Sequence, residues 1–181
     1  MEANGQHPLQ SQEKLLQLSE MKKFPNLNNP YHLIATLGGI GLIPVAPGTF
    51  GSIFAWVIFI LLSHFINMFV LTITSLFFAI WICEKATKDL IEKDHKSIVI
   101  DELVGMWISL IPVIYIVSTQ KDRIIYVVIA FILFRFFDIL KPFPISYFDQ
   151  KIKNGIGIVL DDCIAGIFAA TGATLIIILL V

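Results

Sequence analysis

The sequence predicts an all-α integral membrane protein, a compact bundle of about four to five hydrophobic helices with a Gly/Pro-rich re-entrant or loop segment near residues 38–52. Apolar residues make up 56% of the 181 residues and charged residues 15%, whereas soluble domains contain about 45–50% and about 25%. No Asp, Glu, Lys or Arg occurs between Phe24 and Cys83. Such an uncharged block is long enough to cross a ~30 Å hydrocarbon core more than once.

The same composition excludes several classes of protein. The length suits one domain, and the apolar surplus is the opposite of what disorder requires. A net charge of −1 lacks the basic excess typical of nucleic-acid binding, so no nucleic-acid partner is expected. Cys83 and Cys163 stand 80 residues apart, a spacing that predicts neither a disulfide framework nor a CxxC metal or redox site.

The N-terminal segment, residues 1–30, is a polar tail without the apolar core of a secretory signal. Its apolar residues Leu15, Leu16, Leu18 and Met21 follow roughly helical spacing, which fits either a short helix on a membrane surface or a loosely ordered tail. Residues 31–181 then form a single membrane-embedded domain. Near its start, residues 38–52 carry five glycines and two prolines, too many for a regular helix interior.

Five apolar helices follow in chain order, predicted over residues 49–63, 66–83, 98–117, 124–140 and 158–180. Pro142 is expected to end the fourth of them. This assignment places the tail and the loops 84–97 and 141–157 on one side of the membrane with ten Lys or Arg, against two on the other side. Because basic loops stay in the cytoplasm, the sequence predicts a multi-pass protein with the first group of loops cytoplasmic.

The assignment also collects the intramembrane charges in one layer, at the cytoplasmic ends of the helices. Each such charge costs roughly 2.5–3.5 kcal/mol to insert, so these groups usually pair or bind something. The layer contains two cations and five carboxylates, namely Arg135, Lys141, Asp101, Glu102, Asp138, Asp161 and Asp162. Five carboxylates exceed what two cations neutralise, and all-oxygen ligands favour Mg²⁺ or Mn²⁺ over Zn²⁺.

Two interpretations of this layer stay open from the residues alone. In the first, the carboxylates hold the metal while Arg135 and Lys141 bind an anion such as phosphate. In the second, the charges are structural pairs near the lipid headgroups, some of them simply solvated.

The Gly-rich segment at residues 38–52 also has two interpretations. The backbone N–H of Gly48 and the hydroxyls of Thr49 and Ser52 at a helix N-terminus favour an anion, but Thr49 as a plain N-cap is equally plausible.

Several motifs of other phosphate-handling proteins are absent from the sequence. A Cys-x5-Arg phosphatase needs Arg six positions after its cysteine, where this chain has Asp89 and Ala169. The chain also lacks an Asp-x-Asp, a PSGH element, a DGxxAR motif and a Gly-Lys-Ser/Thr loop. What remains is a metal-assisted displacement in which water or one carboxylate attacks phosphorus.

Gly105 and Gly166 lie beside the acidic residues in the sequence. Small residues at such positions predict that the helices pack closely there.

Four blocks of sequence carry a resemblance to a known family. They are NPYHLIATLGGIGLIPVAPGTFGS at 29–52, DHKSIVIDELVGMWISL at 94–110, FRFFDILKPFPISYFD at 134–149 and NGIGIVLDDCIAG at 154–166. In the order and spacing of these blocks the chain resembles the phosphatidylglycerophosphatase A family. The resemblance implies a bacterial inner-membrane enzyme that hydrolyses phosphatidylglycerophosphate to phosphatidylglycerol and phosphate, within phosphatidylglycerol and cardiolipin synthesis.

The resemblance also implies Mg²⁺ dependence and a site built from the IDE, FDxxKP and DD elements of the family. These elements fall on the residues already singled out, with Arg135 in the RxFD position: Asp101, Glu102, Asp138, Lys141, Asp161 and Asp162. One departure is Asn154-Gly155, where the family usually has Gly-Gly; Asn tolerates left-handed backbone angles. Another is Val159 in place of a family Met, an apolar exchange.

Two other classes of function are weaker interpretations of the same pattern. Carboxylates in membrane helices also mark ion pathways, but transporters tend to be longer, with inverted repeats and sites at mid-membrane. This chain is short, has no visible repeat, and groups its charges at one face. A non-catalytic membrane scaffold, whose charges merely orient helices, is the third class. Phosphate release from a phosphatidylglycerophosphate micelle, with Mg²⁺ or with EDTA, separates the three.

Overall fold

A computed structural model describes residues 24–90 and 93–180, together with Gln12. The helical spacing at Leu15–Met21 therefore lies outside the described residues. The described chain forms seven α-helices and one 3-10 turn, and it contains no β-strand. In chain order these are α1 Pro30–Ala35, the 3-10 turn Ile40–Leu42, α2 Pro47–Leu62, α3 Met68–Ala86, α4 Ile100–Tyr115, α5 Gln120–Leu140, α6 Ile145–Lys151 and α7 Gly155–Leu180.

The all-helical prediction is confirmed for the described residues, which form seven helices rather than the predicted four to five. The five long helices match the predicted segments, with ends that shift by up to four residues. The two short helices, α1 and α6, were missed because each lies in a segment rich in turn residues. In α1, Pro30 occupies the first turn and the Asn29 side chain caps the helix by accepting a hydrogen bond from the Tyr31 N–H.

The Gly/Pro-rich segment is shorter than predicted, because its second half is helical. Gly38 and Gly39 have positive φ angles of 72° and 100° and turn the chain into the 3-10 segment. Pro47 then starts α2, since a proline at the first helical position loses no intrahelical hydrogen bond. The N-cap of α2 is Ala46, so the interpretation of Thr49 as the N-cap is wrong.

Side-chain caps and a proline set the ends of α5 and the start of α7. Thr119 caps α5 by accepting from the Asp122 N–H, and α5 ends at Leu140, immediately before Lys141 and Pro142, as predicted. The backbone of Asn154 is not left-handed. Tolerance of left-handed angles therefore does not explain how Asn154 replaces the Gly that is usual in the family. The Asn154 side-chain oxygen instead accepts from the backbone N–H groups of Ile156 and Gly157 in the first turn of α7.

Helix α7 is the centre of the bundle and contacts α3, α4, α5 and α6. The crossing of α4 and α7 is unusually close: a Cβ atom on Gly105 would lie 2.7 Å from the backbone oxygen of Asp162 and 2.6 Å from the Phe134 ring. A Cβ on Gly166 would collide with the backbone oxygen of Gly105. The packing interpretation of these two glycines is therefore confirmed, and it brings the acidic residues of the two helices together.

Two long-range hydrogen bonds fix the helices that frame the site. The Trp107 indole N–H donates to the Ala55 carbonyl at 2.8 Å, which joins α4 to α2. The Tyr126 hydroxyl donates to the Ser109 carbonyl at 3.1 Å, which joins α5 to α4. Cys83 and Cys163 are both buried free thiols.

Helices α3 and α7 are long and apolar enough to cross a membrane. Helix α2 is also apolar but has only 16 residues, and α4 and α5 carry charged residues. Large apolar side chains are exposed on the outer surface of the bundle. More than half of the surface of Phe77, Phe136 and Leu175 is accessible.

Candidate active site

Three carboxylates from two helices converge at one end of the bundle. Asp101 and Glu102 belong to the first turn of α4, and Asp162 lies in α7. Each offers one carboxylate oxygen, and these three oxygens lie within 4.8 Å of one another. We call these three residues the carboxylate cluster. Asp101 and Asp162 are buried, and Glu102 is half-buried.

The carboxylate cluster contains oxygens that lack a partner. One oxygen each of Asp101 (Oδ1), Glu102 (Oε2) and Asp162 (Oδ2) is buried and accepts no hydrogen bond from the described part of the chain. Buried charges that are neither paired nor hydrogen-bonded are costly, so such oxygens usually bind something. An all-oxygen donor set of this kind fits Mg²⁺ or Mn²⁺ by ligand chemistry.

A second group of side chains joins α5 to α2. The Arg135 guanidinium lies 2.7 Å from a carboxylate oxygen of Asp138, and only 15% and 14% of these side chains are exposed. The same nitrogen of Arg135 donates to the Ser52 hydroxyl at 3.3 Å. Ser52 in turn donates to the Gly48 carbonyl at 2.8 Å. Arg135 is thus held between a carboxylate on its own helix and the first turns of α2.

Gly48 lets the backbone of α2 approach the site. A Cβ atom there would collide with Oε1 of Glu102 and would lie 3.2 Å from the Arg135 guanidinium. Only glycine fits this position without moving both charged groups. Thr49, the next residue, is half-buried in the same helical turn. The structure therefore brings the N-terminal turn of α2 beside both the carboxylate cluster and Arg135.

Lys141 is shared by two carboxylates. Its ammonium group lies 2.6 Å from Oδ2 of Asp161 on α7 and 2.7 Å from Oδ1 of Asp149 on α6. Burial alone would lower the pKa of Lys141, but the carboxylates of Asp161 and Asp149 outweigh burial and raise that pKa well above its ordinary value. Oδ1 of Asp161 is buried and has no partner among the described residues.

Asp149 was missed by the sequence analysis. It lies in α6, within the segment 141–157 that was predicted as a loop. Lys141 follows α5 with a left-handed backbone, φ of 42°, and its side chain pairs with α6 and α7. The signal that could have found Asp149 was its position as the last residue of the block FRFFDILKPFPISYFD, one of the four that carry the resemblance.

The five predicted carboxylates therefore divide into two sets. Asp138 and Asp161 form ion pairs, as the structural-pair interpretation predicts. Within the described residues, Asp101, Glu102 and Asp162 have no cation within ion-pair distance, so the structural-pair interpretation does not account for them. A cavity of about 410 Å³ opens beside Asp149, with Lys93, Asp94 and Lys153 also among the residues that line it.

A family model described as "Phosphatidylglycerophosphatase A" matches residues 33–177. The chain belongs to the phosphatidylglycerophosphatase A family. The resemblance found in the four sequence blocks is thereby confirmed, and membership makes the chain a phosphatase, which is an enzyme of the hydrolase class.

Relatives in this family cover most of the chain. It is similar to phosphatidylglycerophosphatase A of Haemophilus influenzae, with 46% identity over 147 residues, which are 80% of this chain and 86% of the relative. Similarity to phosphatidylglycerophosphatase A of Escherichia coli is 35% over 147 residues, 80% of this chain and 81% of the relative. A Bacteroides thetaiotaomicron relative, provisionally named a phosphatidylinositol-3-phosphatase, is 36% identical over 145 residues, 76% of this chain and 87% of the relative. No solved structure matches.

Proposed function

We propose that this protein hydrolyses the terminal phosphomonoester of phosphatidylglycerophosphate, giving phosphatidylglycerol and inorganic phosphate. The observation that carries the proposal is the carboxylate cluster, whose buried unpartnered oxygens lie beside Arg135 in a chain of this family. Two relatives are named for this activity. In the reaction the bond between phosphorus and the glycerol oxygen breaks, water supplies the new oxygen on phosphorus, and the glycerol oxygen receives a proton.

Asp101, Glu102 and Asp162 are the residues that would hold Mg²⁺. When bound, Mg²⁺ would neutralise negative charge and polarise the phosphoryl oxygens. The three carboxylates without a nearby cation would otherwise repel an anionic substrate. Their oxygen-only donor set and their unpartnered atoms support this assignment.

The basic side chains are proposed to bind the phosphate. Arg135 presents a planar fork that can bind two phosphate oxygens, and its contacts with Asp138 and Ser52 hold that fork in place. The backbone of Gly48 and the hydroxyl of Thr49 lie in the first turn of α2, where an anion is favoured by the helix dipole. Lys141 would contribute a point charge near Asp161.

We further propose that the protein is a multi-pass protein of the bacterial inner membrane with this site at the cytoplasmic side. Two long apolar helices and the exposed apolar side chains support membrane embedding. The excess of basic residues counted from the sequence, ten in the N-terminal tail and in the loops 84–97 and 141–157 against two on the other side, supports the cytoplasmic orientation. A membrane location also matches a lipid substrate, whose headgroup must reach the site from the bilayer surface.

The activity is tested with the purified protein in detergent micelles. Phosphate release is measured from phosphatidylglycerophosphate and, in parallel, from phosphatidylinositol 3-phosphate, each with Mg²⁺ or with excess EDTA. We expect release from phosphatidylglycerophosphate that requires Mg²⁺, and a slower reaction with the inositol lipid. Full activity in EDTA after metal removal would refute the metal assignment, and preference for the inositol lipid would refute the substrate assignment.

A further inference from the structure

A second cavity lies at the opposite end of the bundle from the carboxylate cluster. Its volume is about 340 Å³, and we call it the remote cavity. Its wall is built from apolar side chains of α2, α4 and α5, including Trp56, Phe59, Leu110, Val113 and Val127. Pockets of this size and lining are typical of sites for apolar ligands.

The remote cavity is separate from the candidate active site. It lies between the C-terminal halves of α2 and α4 and the N-terminal half of α5, whereas the site lies at the other ends of these helices. Glu102 and Val113 are both on α4, and eleven residues of α-helix span roughly 16 Å. In the proposed topology the remote cavity faces the opposite leaflet of the bilayer.

Arg123 is the charged group at this cavity. Its Nε donates to the Val117 carbonyl at 2.9 Å, which leaves the terminal nitrogens of the guanidinium for a ligand. No carboxylate in the described chain forms an ion pair with Arg123. The neighbouring Asp122 is hydrogen-bonded to the Thr119 hydroxyl instead.

Besides Arg123, the polar side chains in the lining are Gln120, Ser63 and His64, and the last two form hydrogen bonds within their own segment. The Ser63 hydroxyl donates to the Ile60 carbonyl at 2.8 Å, and Nδ1 of His64 lies 2.9 Å from the same oxygen. An apolar cavity with one guanidinium at its edge matches an amphiphile that has an apolar chain and an anionic head. Arg is the side chain best suited to bind a phosphate group of that head.

We propose that the remote cavity binds an acyl chain of an anionic phospholipid, whose headgroup phosphate contacts Arg123. The proposal depends on the membrane location proposed above and is independent of the phosphatase activity. A zwitterionic phospholipid has the same chains and the same phosphate, but its positive headgroup lies close to the guanidinium. We therefore expect anionic lipids to bind more tightly.

Tryptophan fluorescence tests this proposal, because Trp56 lines the remote cavity. The full-length protein in detergent micelles is titrated with phosphatidylglycerol whose acyl chains carry bromine, which quenches nearby indoles. Trp81 is 48% exposed, so brominated chains in the micelle also quench it without a specific site. We therefore expect a saturable component of the quenching that is lost in Trp56→Phe. Brominated phosphatidylcholine should need a concentration about fivefold higher for half-saturation, the effect of one cation near a lipid surface.

The matched variants are Arg123→Gln, Arg123→Lys and Lys121→Gln. Arg123→Gln should raise the half-saturating concentration of brominated phosphatidylglycerol about fivefold, while Lys121→Gln, which removes a cation outside the cavity lining, should not. Equal half-saturation by the two lipids, or unchanged binding in Arg123→Gln, overturns the proposal. If Arg123→Gln fails to fold, Arg123→Lys and the comparison of the two lipids on the unmodified protein still decide it.

Discussion

The ammonium group of Lys141 lies 2.6 Å from a carboxylate oxygen of Asp161, the residue directly before Asp162. Consecutive residues on an α-helix point about 100° apart. Asp162 therefore faces Asp101 and Glu102, while Asp161 faces Lys141 and the end of α5. The two adjacent aspartates belong to different sets of contacts, and different consequences are expected when each is replaced.

Replacement of the carboxylate cluster should alter the dependence on Mg²⁺. Asp162→Asn keeps the shape of the side chain but removes a ligand charge, so we expect activity to fall by at least about tenfold and the half-saturating Mg²⁺ concentration to rise. Asp101→Asn and Glu102→Gln should behave alike. Phosphate release across a Mg²⁺ titration, together with the amount of protein in the membrane, measures this.

Two variants serve as controls for that experiment. Asp161→Asn removes the partner of Lys141, and it should lower activity with a smaller change in the Mg²⁺ requirement. Asp122 lies at the other end of the bundle, so Asp122→Asn should change neither the activity nor the Mg²⁺ requirement. Cluster variants that fail to accumulate but keep normal specific activity would show that these carboxylates are structural.

Replacement of Asp149 should weaken substrate binding through Lys141. Without this partner the ammonium group loses one of its two anchors. Because the ion pair between Lys141 and Asp149 is partly exposed, its interaction free energy is at most about 1 kcal/mol. We therefore expect KM for phosphatidylglycerophosphate to rise up to about fivefold in Asp149→Asn. The half-saturating Mg²⁺ concentration should not change.

Asp94→Asn is the matched control for Asp149, because Asp94 lines the same cavity but forms no ion pair with Lys141. Asp149→Glu should restore much of the loss, since it keeps the negative charge. An unchanged KM in Asp149→Asn, or an equal rise in Asp94→Asn, would remove Asp149 from the substrate-positioning contacts.

A methyl group at Gly48 should disable the site without unfolding the protein. The added Cβ would collide with Glu102 and crowd Arg135, whereas Ala is otherwise favoured over Gly in a helix by about 0.5–1 kcal/mol. We expect Gly48→Ala to lose at least about tenfold in activity, as displaced active-site groups do. Its thermal stability should stay near that of the unmodified protein.

Gly172→Ala is the control for this prediction. In α7 its added Cβ would meet only the end of the flexible Leu133 side chain, at 2.9 Å. Activity should be kept. A fully active Gly48→Ala would mean that the approach of α2 to Glu102 and Arg135 is not needed for the reaction.

The proposed orientation is tested by labelling introduced cysteines in intact cells. Cys83 and Cys163 are buried and should not react. Gln150→Cys, exposed on α6 at the site end, should react only after the cytoplasmic face is opened, and Gln120→Cys, exposed at the start of α5, should react from outside. The reverse pattern would contradict the orientation proposed from the basic residues.

The sequence by itself determined the helical class, the five long helices, the end of α5 before Pro142, and the charged residues of the candidate site other than Asp149. These features depend on local composition and spacing, which are present in the chain before it folds. The family could also be recognised from the sequence, because four long blocks carry charged residues among apolar ones in the order and spacing of the family.

Only the tertiary structure decided which charges meet. The glycine contacts between α4 and α7 bring Asp162 to Asp101 and Glu102, and the left-handed backbone of Lys141 turns its side chain toward Asp149 and Asp161. The physical reason is that a pairing between helices depends on their rotation and crossing, which are set by packing along the whole length of the bundle. Local spacing specifies the face of a helix, but not its partner.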